Sequence, residues 1–399
     1  METQLEHKKI TQEMIDRSRS RIGKPYTPQE PYFNTIACRD AIRHFANAIG
    51  DKNPLYRDPE YAKKSVVGKL TASPVFLYSV YWESAMAGLM PGIHAWHAGN
   101  DWRWYRRIYE GDEFHYEIVL TDLVEKKSQM AGRTFIAYGM TTYRNQRNES
   151  VARVQGWAVI AERGAAGSGT KYKGIEKASY TPEELRKIYE GYDKEVIRGA
   201  TPRYWEDVEI GEEVPQVLKG PLSPRDMEAW NMGAGSPFMK AHGLFLDYWR
   251  KHPDVMMMDP ATGEVDVGEL VHMQDSRAQE IGIPGAYDYG HQRICWLGHL
   301  MTNWIGDSGF LWKLRAELRL FNVIGDTTFC RGKVVKKYID NGKHCVDIDC
   351  YGINQRNAIS MPGKATVILP SKKTGKIVYP EPTDAEVREW TGGKDIKLS

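Results

Sequence analysis

The sequence contains an internal repeat, and this repeat constrains the fold more than any other feature of the chain. The tetrapeptide Asn-Gln-Arg-Asn occurs at 145–148 and again at 354–357. Three further matches run in the same order: Ile22-Gly23 with Ile210-Gly211, Arg39-Asp40 with Arg225-Asp226, and Gly111-Asp112 with Gly325-Asp326. Four ordered matches indicate that one structural unit is used twice. The length of 399 residues agrees, since single cores rarely grow beyond roughly 250 residues.

Each half predicts the same order of elements. An amphipathic helix comes first, and in the second half Ser223, Pro224 and Asp226 form its capped start. A long apolar segment follows at 75–89 in the first half and at 294–305 in the second, and both segments predict an enclosed helix. Alternating strands come next. The predicted fold class is α+β, with two antiparallel sheets, each wrapped around a long buried helix.

The domain boundaries follow from the repeat. The first unit is expected to span 1–162 and the second 205–399, and the two are expected to share a continuous sheet. Residues 163–204 are predicted to form a linker with a short helix capped at Thr181. The offset between the halves rises from 186 residues early in the repeat to 216 residues later. About 30 residues are therefore inserted near 236–267.

Composition excludes several classes of function. Lys+Arg 54 against Asp+Glu 52 leaves a charge of +2, which favours neither nucleic acid nor an anionic membrane as a partner. No apolar stretch approaches ~18 residues, and the charged N-terminus lacks the apolar region of a secretory signal. We therefore expect a cytoplasmic protein without a membrane span. Five cysteines without a CxxC pair predict neither a disulfide framework nor a structural zinc site.

Residues 47–62, NAIGDKNPLYRDPEYA, resemble the signature of the MaoC-like acyl-thioester hydratases and dehydratases, which have the hotdog fold. The similarity continues through 71–74 and 110–112, and the repeat then implies a double hotdog. In that family an aspartate and a histidine of the motif activate water. Asp51 holds the aspartate position, but Tyr56 stands in place of the histidine, and a phenol near pKa ~10 is a poor base. The resemblance implies a degenerate first half that shapes the pocket, with Asp51 and Tyr56 as candidate catalytic residues and Asn53 as a candidate for substrate binding. A loop or helix cap is the structural alternative for Asp51.

The second half resembles the continuation of the same motif at 271–285. At the later offset Tyr56 corresponds to His272, which makes His272 the candidate general base; a hydrogen-bonded core histidine is the structural alternative. The early offset points instead to His242. Val267 occupies the expected aspartate position, so Asp266 or Glu269 is the candidate partner of the base.

The resemblance also implies an anion-stabilising helix start. Gly290 would direct its backbone N–H at the thioester oxygen, because unpaired N–H groups and the helix dipole stabilise a forming enolate. Asp288, His291 and Arg293 lie beside it in sequence and are candidates for substrate binding, with capping or a salt bridge as the alternative. Cationic side chains before the two Gly-Asp turns are candidates for the phosphates of a CoA substrate, although each could belong to a solvated strand face: Arg103, Arg106 and Arg315, with Arg107, Lys313 and Arg319.

The sequence therefore predicts an enzyme that adds or removes water at the 2,3-position of an enoyl-CoA or 3-hydroxyacyl-CoA thioester, in lipid or acid catabolism. An acyl-carrier-protein thioester is the less favoured substrate. We expect a bulky acyl group, no metal or redox cofactor, and a homo-oligomer. Two alternatives stay open: a hotdog thioesterase, and a catalytically inactive thioester-binding subunit of a hydratase complex.

Overall fold

The computed structural model describes residues 9–28, 30–85, 89–127, 133–162, 175–259, 261–383 and 386. Its strands are β1 (Pro25–Tyr26), β2 (Thr71–Ala72), β3 (His94–Trp104), β4 (Ile108–Tyr109), β5 (Phe114–Lys127), β6 (Arg133–Asn145), β7 (Ser150–Ala161), β8 (Glu213–Lys219), β9 (Met256–Met258), β10 (Val265–Val267), β11 (Phe310–Glu317), β12 (Thr328–Asp340), β13 (Lys343–Asn354) and β14 (Ile359–Ile368). Its α-helices are α1 (Gln12–Arg19), α2 (Arg39–Ala48), α3 (Pro59–Lys64), α4 (Pro182–Asp193), α5 (Pro224–Ala234), α6 (His242–Lys251), α7 (Asp275–Glu280) and α8 (Gly290–Ile305).

Ten of the strands form one antiparallel sheet in the order β1-β5-β6-β7-β3-β11-β14-β13-β12-β8. The halves meet at β3 and β11, where Trp102 lies opposite Leu314. The expected continuous sheet is confirmed. The further detail that the sheet of each half wraps around its own long buried helix is not confirmed. Pairing β3 with β11 satisfies two strand edges that would otherwise be open.

The repeated tetrapeptide builds the same turn in both halves. In the first copy the Asn145 side-chain oxygen accepts from the N–H groups of Arg147 and Glu149. In the second copy Asn354 accepts in the same way from Arg356 and Ala358. The last asparagine of each copy has a positive φ, 60° and 58°, a conformation that asparagine tolerates better than most residues. The sequence repeat is therefore also a structural repeat.

Helix α8 is the buried helix predicted for the second half. Every residue from His291 to Ile305 is buried. The helix is enclosed by β3, β8, β11 and β14 together with the short 3-10 helix Pro74–Ser79 of the first half. Gly298 permits close approach there, because a Cβ at this position would lie 2.7 Å from Cγ1 of Val75. An all-round apolar sequence correctly indicated a helix inside the core.

The corresponding helix predicted at 75–89 is wrong for most of its length. Only the 3-10 helix Pro74–Ser79 forms, and residues 86–88 lie outside the described residues. Glu83 is fully buried, and its carboxylate accepts hydrogen bonds from the Ala85 N–H and the Thr141 hydroxyl. Ala85 has φ +55°, which a right-handed helix does not allow. The side chain of Glu83 thus replaces helical backbone bonding in this segment.

The remaining helices follow their capping signals. The capping boxes Ser223/Asp226 at α5 and Thr181/Glu184 at α4 form as predicted. Helices α2 and α5, the first helices of the two halves, pack on each other. The predicted insertion contains α6 and the β9–β10 hairpin. The domain boundaries stay a prediction, and most of the predicted flexible run at 162–170 lies outside the described residues.

Candidate active site

The N-terminus of α8 lies where the two halves meet. Gly290 is the first helical residue, and the preceding Tyr289 makes no side-chain capping bond, so the first N–H groups of the helix are left without that partner. A Cβ at Gly290 would lie 2.5 Å from Cδ1 of Leu318 and 2.7 Å from Nδ1 of His97. Only glycine allows this approach. The uncapped helix start is suited to binding an oxygen that carries negative charge.

His272 lies beside this helix start, at the end of the 3-10 helix Gly268–His272. Its ring stacks on Tyr289 with a centroid distance of 3.9 Å. Nδ1 lies 2.8 Å from the carbonyl oxygen of Tyr287; because that oxygen can only accept, Nδ1 carries the proton. Nε2 is then the basic nitrogen. Burial lowers the pKa of His272 to about 4, although the bond to Tyr287 opposes the shift. The ring is therefore neutral at pH 7.

Of the two candidate carboxylates, Glu269 is the one that lies near Tyr289, the ring on which His272 stacks. Its Oε2 accepts a 2.5 Å hydrogen bond from the Ser236 hydroxyl, and the carboxylate lies close enough to Tyr289 to raise the pKa of that phenol. Burial raises the pKa of Glu269 to about 7, although the bond from Ser236 opposes the shift. The rival Asp266 lies in β10, and its carboxylate accepts from the N–H of Val267. Val267 itself is buried. The structure thus places Glu269 next to the aromatic ring on which His272 stacks.

His242, the other candidate base, lies in the inserted segment. It is the first residue of α6, is exposed, and has φ +55°. Helix α6 carries no buried residue.

Two further histidines line the helix start. His291 stacks on His97 with a centroid distance of 3.9 Å and contacts Tyr78 and Trp82. Burial lowers the pKa of His97 to about 3 and that of His291 well below its usual range, so both rings are neutral. His97 comes from β3 of the first half. No motif marks it in the sequence, and only the pairing of the two halves brings it here.

Asp288 and Arg293 bind each other. The two form a buried ion pair, Asn322 donates to the carboxylate, and the guanidinium also donates to the carbonyl oxygen of Leu320. Removal from water is expensive for an isolated charge, and this mutual pairing compensates for it. The geometry corresponds to the salt-bridge alternative considered for these two residues.

The motif residues of the first half bond within their own segment and not to the start of α8. Asp51 accepts from the Asn53 N–H, and Asn53 caps the 3-10 helix Pro54–Tyr56 through the Leu55 N–H. Burial and the nearby Asp51 charge raise the pKa of Tyr56 well above its usual range. The phenol is therefore no base at neutral pH.

Asp51 also belongs to a buried polar network that sequence reasoning missed. Nε2 of His299 lies 3.5 Å from Asp51 and 3.0 Å from Glu195, and Lys219 lies 2.8 Å from Nδ1 of the same ring. Asn303 contacts both His299 and Glu195. One sequence signal was available, because His299 interrupts the apolar run at 294–305.

The candidate phosphate-binding arginines are engaged by carboxylates. Arg103 pairs with Glu386, Arg106 lies 3.4 Å from Glu381 and 3.9 Å from Glu149, and Arg315 lies 3.2 Å from Glu317. Among the described residues, no group of three or more His, Cys, Asp or Glu side chains could hold a metal ion. In the same part of the chain no helix is long and apolar enough to cross a membrane.

The sheet, shared by two halves around the buried α8, is that of a double-hotdog protein. The family model described as "FAS1-like, dehydratase domain region" matches residues 22–154. A UPF0336 protein of Streptomyces avermitilis is 30% identical over 125 residues, which cover 29% of this chain and 76% of the relative. A UPF0336 protein of a Parafrankia species is 46% identical over 153 residues, covering 36% and 93%. The chain therefore belongs to the UPF0336 family.

Solved structures agree on the fold. A MaoC-like dehydratase superimposes with a TM-score of 0.62 at 15% identity and covers 88% of this chain and 99% of its own. A putative MaoC domain dehydratase from Chloroflexus aurantiacus gives 0.57 at 14% identity, covering 88% and 96%. A Mycobacterium tuberculosis protein described as having a double hotdog fold gives 0.54 at 9% identity, covering 87% and 96%. At these identities the likeness concerns the fold alone.

Proposed function

We propose that this protein adds water to, or removes it from, the 2,3-position of an acyl-CoA thioester. The observation that carries the proposal is the neutral His272 ring, held by Tyr287 with Nε2 as its basic nitrogen, beside the uncapped start of α8. A thioester whose oxygen accepts from the Gly290 N–H gains stabilisation as negative charge develops on that oxygen. The thioester itself acidifies the α-proton, so the chemistry needs no metal or redox group.

In the hydration direction, Nε2 of His272 takes a proton from water as the water oxygen bonds to the β-carbon. The electron pair of the double bond moves toward the thioester oxygen, which the α8 start stabilises. Glu269, whose pKa of about 7 leaves a large protonated share at neutral pH, delivers a proton to the α-carbon. Solvent exchange then returns His272 and Glu269 to their starting forms. Dehydration reverses each step.

The finer features of the substrate belong to the same proposal. CoA is the preferred carrier, with acyl carrier protein as the second choice. A bulky acyl group and a homo-oligomer are hypotheses that rest on the sequence and on the family resemblance. The paired halves already supply within one chain the contact that two single hotdog units would otherwise form between chains.

The test is an assay with several enoyl-CoAs, following loss of the conjugated-thioester absorbance together with release of free thiol. We expect hydration without thiol release, and His272→Ala should lower kcat/KM by about 10²–10⁴-fold. His242→Ala is the matched control, since His242 is an exposed histidine on α6, and it should retain wild-type rates. Thiol release would establish the thioesterase alternative. Tight binding of CoA esters without turnover would establish the inactive subunit.

A further inference from the structure

Buried polar atoms without a hydrogen-bond partner concentrate around Tyr289. In the described ranges, seven such atoms belong to side chains near this residue: Nε1 of Trp82 and Trp230, Nδ1 of His97, Nε2 of His291, Oδ1 of Asn231, Oε1 of Gln292 and Oε1 of Glu269. Native proteins leave few buried polar groups unpaired, so a concentration of this kind calls for an explanation.

Contacts through Tyr289 and His291 connect five of these side chains, namely those of Trp82, Trp230, His97, His291 and Asn231, and Gln292 follows His291 in α8. The Trp82 ring lies 5.5 Å from Tyr289, 5.7 Å from Trp230 and 5.2 Å from His291, measured between centroids. Asn231 donates to the Tyr289 hydroxyl, and Gln292 joins α8 to α5 by donating to the carbonyl oxygen of Asp226. The unpaired atoms therefore surround the helix start that the proposed function uses.

Most of the unpaired atoms are acceptors. His97 donates through Nε2 to the carbonyl oxygen of Gly99, and the His291 ring donates to the carbonyl oxygen of Glu83, so the remaining nitrogen of each ring can only accept. Asn231 and Gln292 each leave an amide oxygen unpaired. The two indole N–H groups are the donors of the set. A ligand that satisfies these atoms must therefore bring hydrogens to donate.

The group also lacks a cation that could bind an anionic acyl group. The imidazoles of His97, His272 and His291 are neutral because burial lowers their pKa values. The nearby guanidinium of Arg293 is paired with Asp288. A carboxylate would bring acceptors to a site that already has an excess of them, and an alkyl chain would leave every atom unpaired at about 1–3 kcal/mol each.

We propose that the acyl group of the substrate carries at least one hydroxyl group besides the one formed or removed at the β-carbon, and that Trp82, Trp230, Asn231 and Gln292 select for it. This inference rests on the proposed function for the position of the thioester. A hydroxyl group both donates and accepts, so it can pair with an indole N–H and an amide oxygen together. One catalytic water, with two hydrogens, cannot satisfy all the acceptors of the group.

The test compares CoA esters of equal chain length: trans-2-hexenoyl-CoA, its 4-, 5- and 6-hydroxy derivatives, and trans-2-hexenedioyl-CoA with a terminal carboxylate. We expect at least one hydroxy ester to exceed the unsubstituted ester in kcat/KM by about tenfold or more, since sites built for a substrate hydroxyl reject analogues without it. Equal or better hydration of the unsubstituted ester or of the dicarboxylic ester overturns the inference and leaves the proposed function intact.

Two variants and one control test whether this preference depends on the unpaired atoms. Trp82→Phe removes an unpaired indole N–H and should reduce the hydroxyl preference to threefold or less; Gln292→Met removes an unpaired acceptor and should act in the same direction. Trp96→Phe also removes an unpaired indole N–H, but the Trp96 ring contacts His94 at a tilt, with 4.3 Å between the centroids, so the preference should stay at its wild-type value. An unchanged preference in both site variants overturns the assignment.

Binding measurements distinguish a failure of this inference from a failure of the proposed function. Dissociation constants of the same esters for His272→Ala, measured by calorimetry, report selection of the acyl group without turnover. Tighter binding of a hydroxy ester supports the inference even if no ester is hydrated by the wild-type protein. Equal dissociation constants for all the esters overturn it.

Discussion

Nε2 of His299 lies 3.5 Å from the carboxylate of Asp51, although the two residues belong to opposite halves of the chain. Glu195 and Lys219 complete this buried network, and Lys219 also donates to the carbonyl oxygen of Ile49. Two carboxylates, one ammonium group and one imidazole thus share a site closed to solvent. Charges in such a site stabilise the fold only as long as each keeps its partner.

Removal of Lys219 should therefore destabilise the protein strongly. In Lys219→Met the side-chain volume is similar, but Asp51 and Glu195 lose the ammonium group, and the free energy of unfolding should fall by about 3–5 kcal/mol. Urea denaturation at pH 7 measures it. The control is Lys333→Met, because Lys333 pairs with Glu213 in solvent; such exposed pairs contribute less than about 1 kcal/mol. Equal losses in the two variants would contradict a special role for the network.

Glu195 should make stability depend on acid pH. Burial raises the pKa of Glu195, but the hydrogen bond from His299, together with the charge of Lys219 and the hydrogen bond from Asn303, outweighs it and lowers the pKa to about 2. The folded pKa is then below the ordinary value of 4.5, so the stabilisation is complete above pH 4.5 and is lost as the pH falls toward 2. The shift corresponds to about 3 kcal/mol.

The measurement is the free energy of unfolding of the wild type and of Glu195→Gln between pH 3 and 7. The wild type should lose stability more steeply than the variant over the acid part of this range, since the amide does not titrate. Glu190→Gln removes a solvent-accessible ion pair with Arg186 on α4 and should follow the wild-type curve, because such pairs contribute little. Parallel curves for all three proteins would exclude Glu195 as the source of the pH dependence.

Features of the fold that depend on residues close together in the sequence were predictable. The Asn-Gln-Arg-Asn turns, the Ser223 cap and the apolar α8 depend on neighbours a few residues apart, and all of them form. The helix at 75–89 failed because the buried Glu83 carboxylate is satisfied by Thr141, 58 residues away. A local pattern of apolar residues holds no information about such a partner.

The candidate site likewise contains residues that the sequence predicted and residues that it missed. His272 and Gly290 lie together at one helix start, and the resemblance to the family motif brought both into the prediction. His97 and the network around His299 were missed, because the pairing of the two halves alone brings residues from the first half to α8. Glu269 could be ranked above Asp266 only after the path of the inserted segment was known.

Gly290 should tolerate no side chain. In Gly290→Ala the new Cβ would lie 2.5 Å from Cδ1 of Leu318 and 2.7 Å from Nδ1 of His97, so the helix start or both side chains must move. A displacement of about 1 Å at the oxygen-binding N–H should lower kcat/KM by roughly 10²-fold, and overpacking should cost about 1–3 kcal/mol of stability.

The matched control is Gly243→Ala in α6, where no atom lies within 4 Å of the new Cβ. This variant should keep wild-type activity, and its stability should change by less than about 0.5 kcal/mol. Steady-state hydration assays and thermal unfolding of both variants check the prediction. Full activity in Gly290→Ala would mean that the thioester oxygen does not bind at this helix start.

The proposed roles of His272 and Glu269 predict a bell-shaped pH profile of kcat/KM. The base acts only when it is neutral, so activity should fall as the pH decreases through about 4, the pKa to which burial lowers His272. The acid acts only when it is protonated, so activity should fall as the pH rises through about 7, the pKa to which burial raises Glu269.

Glu269→Gln should remove the alkaline limb, because the amide does not titrate, and should lower the maximal rate by about 10²–10⁴-fold. Asp266→Asn should leave both limbs in place, since the Asp266 carboxylate is bound to the N–H of Val267 in the β9–β10 hairpin. The profiles of the three proteins, measured with one enoyl-CoA between pH 3 and 9, decide between the two carboxylates. If Asp266→Asn loses the alkaline limb and Glu269→Gln keeps it, the acid is Asp266, and the inserted segment must rearrange when substrate binds.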